Sequence, residues 1–229
     1  MNPGIQAALE ALRLRIAESE RKYARVPGSV QLLAVSKTQA SASVRAAHAA
    51  GQHLFGENYL QEALEKMQEL ADLDLVWHFI GPLQSNKTRA LAEHFDWIHS
   101  LDRERIAQRL DAQRPPERPP LNVLLQVNLS DEAGKAGTSL AHLPLLAAYV
   151  ATLPRLRLRG LMAIPAPGTD FDTQRDVFSR LAEARQALQQ LGHEECKELS
   201  MGMSQDLEAA IAAGATIVRI GTDIFGPRE

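Results

Sequence analysis

From Gln31 to its end the chain alternates short apolar runs with stretches of helical spacing, and the runs are too short to be buried helices. Eight such runs stand at residues 31–36, 53–55, 75–80, 95–99, 121–127, 156–162, 198–200 and 216–220. Amphipathic or alanine-rich stretches separate them, among them SASVRAAHAAG, NYLQEALEKMQEL, DRERIAQRL and TQRDVFSRLAEARQALQQLG, several closed by a glycine suited to a left-handed helix end. Eight strand–helix repeats predict a (β/α)₈ TIM barrel. A doubly wound open sheet is the alternative, since strand number alone does not close a sheet. Before the first run, Ile5, Ala8, Leu9, Leu12 and Ile16 share one helical face, with Asn2 and Pro3 placed to start the helix, so an extra N-terminal packing helix is expected. The proline-rich RPPERPP, residues 114–120, reads as a stiff loop into the fifth strand rather than a linker, because the alternation continues on both sides. Residues 1–229 are therefore expected to form one domain.

Composition narrows the function classes. The 229 residues are 45% hydrophobic and 23% charged with a net charge of -3, which suits a single core and offers no basic patch or acidic block. Nucleic acid and membrane are thus not expected partners. The single Cys196 cannot close an internal disulfide, and the N-terminal stretch carries too many charges for a signal or spanning segment. A cytoplasmic setting is the expectation.

In a closed barrel the C-terminal strand ends share one face, and that face carries the site. Lys37 follows the first run, Asn58 the second, and Asn128 the fifth; His78 lies near the end of the third, His99 and Ser100 close the fourth, Ser200 closes the seventh, and Arg219 with Gly221 closes the eighth. A lysine at a strand tip beside Arg219 would be pushed towards its neutral form by burial and like charge, and a neutral lysine attacks aldehydes. The plainer reading of any one lysine is a solvated side chain. The turns SMGMS and RIGT follow strands seven and eight, where such barrels bind phosphate; Ser200 and Ser204 supply hydroxyls, while Gly202 and Gly221 admit backbone N–H groups. Ser204 could instead cap the next helix, and Met201 and Met203 read as packing residues. An aldehyde that also bears a phosphate, as pyridoxal phosphate does, would use both features. Arg219 can only donate, so opposite a pyridine nitrogen it would favour the unprotonated ring and mute carbanion chemistry.

GPLQSNKT, residues 81–88, nearly spells a nucleotide phosphate loop, but Asn86 replaces the second glycine and Pro82 stiffens the turn. The seven histidines show no metal-binding spacing, and structural roles are expected for most of them, with His78 a support for the site.

The ordered phrases LLAVSK, FGENYLQE, WHFIGPLQSNK, QVNLSDEAGKAG, RGLMAIP, LSMGMSQDLEAAI and VRIGTDIFG span nearly the whole chain. Together they resemble the pyridoxal phosphate homeostasis family of the YggS/PROSC type, itself similar to the barrel of alanine racemase. The resemblance implies a fold-type III barrel that holds pyridoxal 5'-phosphate as a Schiff base on Lys37. It further implies Arg219 facing the pyridine nitrogen, Ser200, Ser204, Gly221 and Thr222 around the phosphate, and Asn58 on the ring side. The function implied is a monomeric carrier that buffers or delivers the cofactor, with apo-enzymes as possible recipients and no efficient turnover. An amino-acid racemase or related enzyme is the alternative, but a second, β-rich domain to supply an opposite-face base is not expected within residues 1–229. Asp223 departs from the family's small residue, and an acid there would weaken phosphate binding unless it points away.

Overall fold

The computed structural model describes residues 3–129, 136–166 and 170–226. Asn2 and the central part of QVNLSDEAGKAG, including Lys135, lie outside them. The first half of the chain forms α1 (Pro3–Lys22), β1 (Gln31–Val35), α2 (Ser41–Ala49), β2 (Leu54–Glu57), α3 (Leu60–Glu69), β3 (Val76–Phe79), α4 (Thr88–His94) and β4 (Trp97–Leu101). The second half forms α5 (Glu104–Gln113), β5 (Leu121–Gln126), α6 (Leu143–Ala151), β6 (Leu156–Met162), α7 (Phe171–Gln190), β7 (Glu198–Ser200), α8 (Leu207–Ala212), β8 (Ile217–Ile220) and the short α9 (Thr222–Phe225). The strands pair in chain order, all parallel, and β8 returns to β1 from Gln31↔Ile217 to Ala34↔Ile220, so the sheet is closed. The expected TIM barrel is therefore present, and the open sheet is excluded.

Closure explains the composition of the strands. Each is covered outside by helices and inside by its neighbours, so runs such as LNVLLQ and IVRI are mostly apolar and buried almost throughout. Outside the β8–β1 seam, α1 packs on α2, α8 and α9. Its buried stripe is Ile5, Leu9, Leu12 and Ile16, each worth about 1.5–3 kcal/mol when fully covered. The extra helix is thus part of the barrel wall. The loop at 114–120 is held by Arg114, whose guanidinium is buried and donates to the carbonyls of Ala92, Phe95 and Pro119 at 2.6–2.9 Å.

Strand limits differ from the sequence reading in two informative places. β4 starts at Trp97 rather than Phe95, because the Phe95 N–H still closes α4 on Leu91 and the Asp96 carboxylate accepts the Trp77 N–H. β2 runs on to Glu57, beyond Phe55. A charged residue reads as a strand end, yet Glu57 is fully buried against Ser36 and Lys66.

Candidate functional site

A cavity of about 440 Å³ opens at the C-terminal strand ends. Its wall includes Lys37 after β1, Asn58 after β2, Ile164 and Pro165 after β6, the turn from Met203 to Asp206 after β7, Arg219 in β8, and Gly221, Thr222 and Asp223 after it. Six of the seven residues that the family resemblance implies line this one space: Lys37, Asn58, Ser204, Arg219, Gly221 and Thr222. Its size suits a small aromatic cofactor.

Ser200 is the exception and corrects the reading of the seventh strand. The last residue of β7 points into the barrel core, is 0% exposed, and does not line the cavity. Its Oγ accepts from Arg219 Nη1 at 2.8 Å and lies 2.9 Å from His99 Nδ1. His99 Nε2 in turn lies 2.8 Å from His78 Nδ1. Because arginine only donates, every pairing is satisfied when the Ser200 hydroxyl donates to His99 and His99 Nε2–H donates to His78 Nδ1. Within this network His78 Nε2 alone then lacks a partner among the described residues. Burial keeps both rings neutral, with His78 pushed down to about 3 and His99 well below its ordinary value, the latter helped by the neighbouring His78 and Arg219. Burial also lowers Arg219 to about 10, against a raising influence from Asp206, so it keeps its charge at neutral pH. Arg219 Nη2 donates to Ala163 O at 3.0 Å. The guanidinium beneath the cavity is thus fixed from two sides.

Two further expectations are revised. Met203, read as packing, is 39% exposed and lines the cavity, whereas Met201 is buried as expected. Ser204 does not cap α8; residue 206 stands at that cap, and the Asp206 carboxylate instead takes the Met203 N–H at 2.6 Å, tightening the turn. Asp223 turns towards α1, where Arg15 pairs with it at 3.2 Å and also donates to the Ser204 carbonyl at 3.4 Å. One arginine therefore ties together both turns expected to surround a phosphate and neutralises the acid beside them.

Asn58 Oδ1 is buried without a hydrogen-bond partner among the described residues. An orphaned polar atom at a cavity wall costs about 1–3 kcal/mol and is relieved by a ligand that donates to it. Gly81 supports this residue from behind: a Cβ there would stand 2.2 Å from the Asn58 carbonyl oxygen. That close approach is the work of the glycine in GPLQSNKT. The Thr88 hydroxyl of the same phrase is already spent on Ser85 O and Arg109, so the segment is a helix entry and no phosphate loop. Cys196 is buried, its thiol pushed up to about 12, and unsuited to nucleophilic work. Among the described residues no cluster of metal ligands and no helix long and apolar enough to cross a membrane is present.

Sequence reasoning missed Ile164, Pro165, Gln174 and Asp206 in the wall. The first two immediately follow the sixth strand, and the rule that found Lys37 and Asn58 would have found them. Gln174 comes from α7 and carries no such signal.

A closed parallel barrel with a lysine at the first strand tip, a buried arginine in the eighth strand and polar turns after strands seven and eight defines a barrel of the alanine racemase kind. The chain belongs to the family described as "Alanine racemase, N-terminal domain", whose sequence model matches residues 8–229. It is 60% identical over 215 residues to the "Pyridoxal phosphate homeostasis protein" of Pseudomonas aeruginosa, covering 94% of this chain and 92% of that one. The Escherichia coli K12 protein of the same name is 54% identical over 224 residues, covering 96% and 95%. Among solved structures, PipY of Synechococcus elongatus with PLP bound is 42% identical and superposes with a TM-score of 0.86, covering 97% of this chain and 100% of that one. The resemblance read from the ordered phrases is thereby met.

Proposed function

We propose that this protein binds pyridoxal 5'-phosphate at the strand-end cavity and buffers or delivers it for vitamin B6 homeostasis, as a monomer in the cytoplasm. The carrying observation is the convergence of Lys37, Asn58, Ser204, Arg219, Gly221 and Thr222 on one cavity. Relatives of this identity that are named for pyridoxal phosphate homeostasis, and a similar structure with PLP bound, support the same reading. The residues fit the group: Lys37 meets an aldehyde, the donor-only Arg219 a ring nitrogen that stays unprotonated, and the Ser204 and Gly221–Thr222 turns a phosphate. When bound, the cofactor would supply an aldehyde within reach of the Lys37 amine, with Asn58, Arg219 and the two turns holding its ring and phosphate. Arg15 holds the two turns in register and keeps the Asp223 charge off the phosphate.

The test is spectroscopic. Purified protein mixed with pyridoxal 5'-phosphate should develop imine absorbance that borohydride removes, and plain pyridoxal should be retained far less well. Equal retention of both forms would sink the phosphate site. Hydrogen bonds to a charged group are worth about 1.5–3 kcal/mol, so Thr222→Ala should weaken retention about ten- to a hundredfold.

Arg15→Ala should weaken retention about two- to fivefold by exposing the phosphate to an unpaired Asp223, in line with a partly exposed charge pair. The double change Arg15→Ala with Asp223→Ala should recover most of that loss. Failure to recover would mean that Arg15 acts only by ordering the Ser204 turn.

Amino-acid turnover should be slow. Of the described residues lining the cavity, none is a tyrosine or histidine, and its two aspartates are engaged with Met203 N–H and Arg15. Incubation with L-alanine in deuterated water should give little α-proton exchange and no inversion. Racemisation in the usual enzymatic range of about 1–1000 per second would overturn the carrier reading.

A further inference from the structure

Behind the tip of β1 lies a charged cluster with no place in the cavity wall. Lys66 of α3 is buried, and its Nζ donates to Glu57 Oε1 at 2.8 Å, Glu62 Oε1 at 2.5 Å and Ser36 O at 2.6 Å. Glu57 is fully buried and also accepts the Ser36 hydroxyl at 2.6 Å. Glu62 Oε1 accepts the Thr38 N–H at 2.6 Å. Ser36 O belongs to the peptide group before Lys37 and Thr38 N to the one after it. Lys66, Glu62 and the two peptide groups therefore close a hydrogen-bonded ring through the Lys37 Cα. Next to that ring Thr38 sits at φ 65°, a left-handed conformation that costs a β-branched residue about 1–3 kcal/mol and persists only when the surroundings impose it.

Burying a lysine and a glutamate is expensive, and a well-packed apolar pair would serve stability as well or better. A ring of charge-assisted bonds on both peptide groups of one residue instead fixes the direction in which that residue's side chain leaves the backbone. We propose that Lys66, Glu57 and Glu62 are positioning residues for Lys37, holding its amine at the angle from which it meets the aldehyde of the cofactor. This rests on the proposed attachment through Lys37. The device acts on the bond-forming step, while recognition of ring and phosphate stays with Asn58, Arg219 and the two turns.

The experiment separates these steps on the apo-protein. The rate of imine formation with pyridoxal 5'-phosphate is followed by stopped-flow absorbance, and affinity for pyridoxamine 5'-phosphate, which has ring and phosphate but no aldehyde, is measured by titration. Glu62→Ala frees the Thr38 N–H, and the paired change Glu57→Gln with Lys66→Met frees Ser36 O without stranding a buried charge. Both should slow imine formation at least about tenfold, the scale of a lost near-attack geometry, while pyridoxamine 5'-phosphate affinity stays within about twofold. Glu62→Gln keeps an acceptor for Thr38 and should restore the rate to within about threefold of the unmodified protein. Unchanged rates, or equal losses of rate and affinity, would overturn the positioning role in favour of a structural one. An unmodified protein that binds pyridoxamine 5'-phosphate yet forms no imine would defeat the Lys37 attachment itself, and the positioning role with it.

Discussion

Lys37→Ala abolishes the imine absorbance while leaving a measurable affinity for pyridoxamine 5'-phosphate. The expectation follows from the lysine inventory. Of the six lysines, Lys22 pairs with Glu208, Lys66 is consumed inside its buried cluster, Lys197 pairs with Glu195, and Lys87 stands at the entry to α4. Lys135 lies outside the described residues. Among the described residues Lys37 alone of the lysines lines the cavity. Removing its amine removes the C=N bond outright, whereas the polar contacts of Asn58, Arg219 and the two turns remain. Borohydride trapping followed by peptide mapping checks the assignment directly. A label on Lys87 or Lys135 would show it to be wrong.

What made the site readable was the barrel rule, which turns eight strand ends into one face before any side chain is placed. Lys37, Asn58, Gly221 and Thr222 follow their strands, so position along the chain sufficed to bring them together. Ser200 shows where the rule stops. A residue that ends a strand rather than following it points inward or outward according to a period of two, and in a closed barrel inward means into a packed core. Strand limits from sequence are not sharp enough to decide between the cavity and the layer beneath. His78, His99, Ser200 and Arg219 form that layer across β3, β4, β7 and β8. Their pairing depends on how far each strand is staggered around the barrel. Lys66 was illegible for another reason. A lysine four residues after a glutamate on a helix reads as a solvated ion pair, and only the extension of β2 through Glu57 brings a buried partner to it.

The buried histidine pair gives the protein an acid liability tied to the site. In the folded state His78 takes up a proton only near pH 3, whereas in the unfolded chain it does so near 6.5. Between those values the unfolded state binds the extra proton, so stability falls as pH falls, by about 1.4 kcal/mol per unit. At pH 4.5 the loss from His78 alone is on the order of 2–3 kcal/mol, and His99, shifted in the same direction, adds to it. Glu57 works in the opposite sense, because burial raises its carboxyl pKa, and the measured slope is the sum. Denaturant unfolding of the apo-protein at pH 7.5, 6, 5 and 4.5 measures that slope. His78→Gln keeps a hydrogen-bonding partner for His99 without a titrating ring, and should flatten the profile by about 1 kcal/mol or more per pH unit below 6. An unchanged profile in that variant would mean that His78 does titrate in the folded barrel. Protonation would then place a charge three hydrogen bonds from Arg219, and arginine would no longer be the fixed group beneath the cavity.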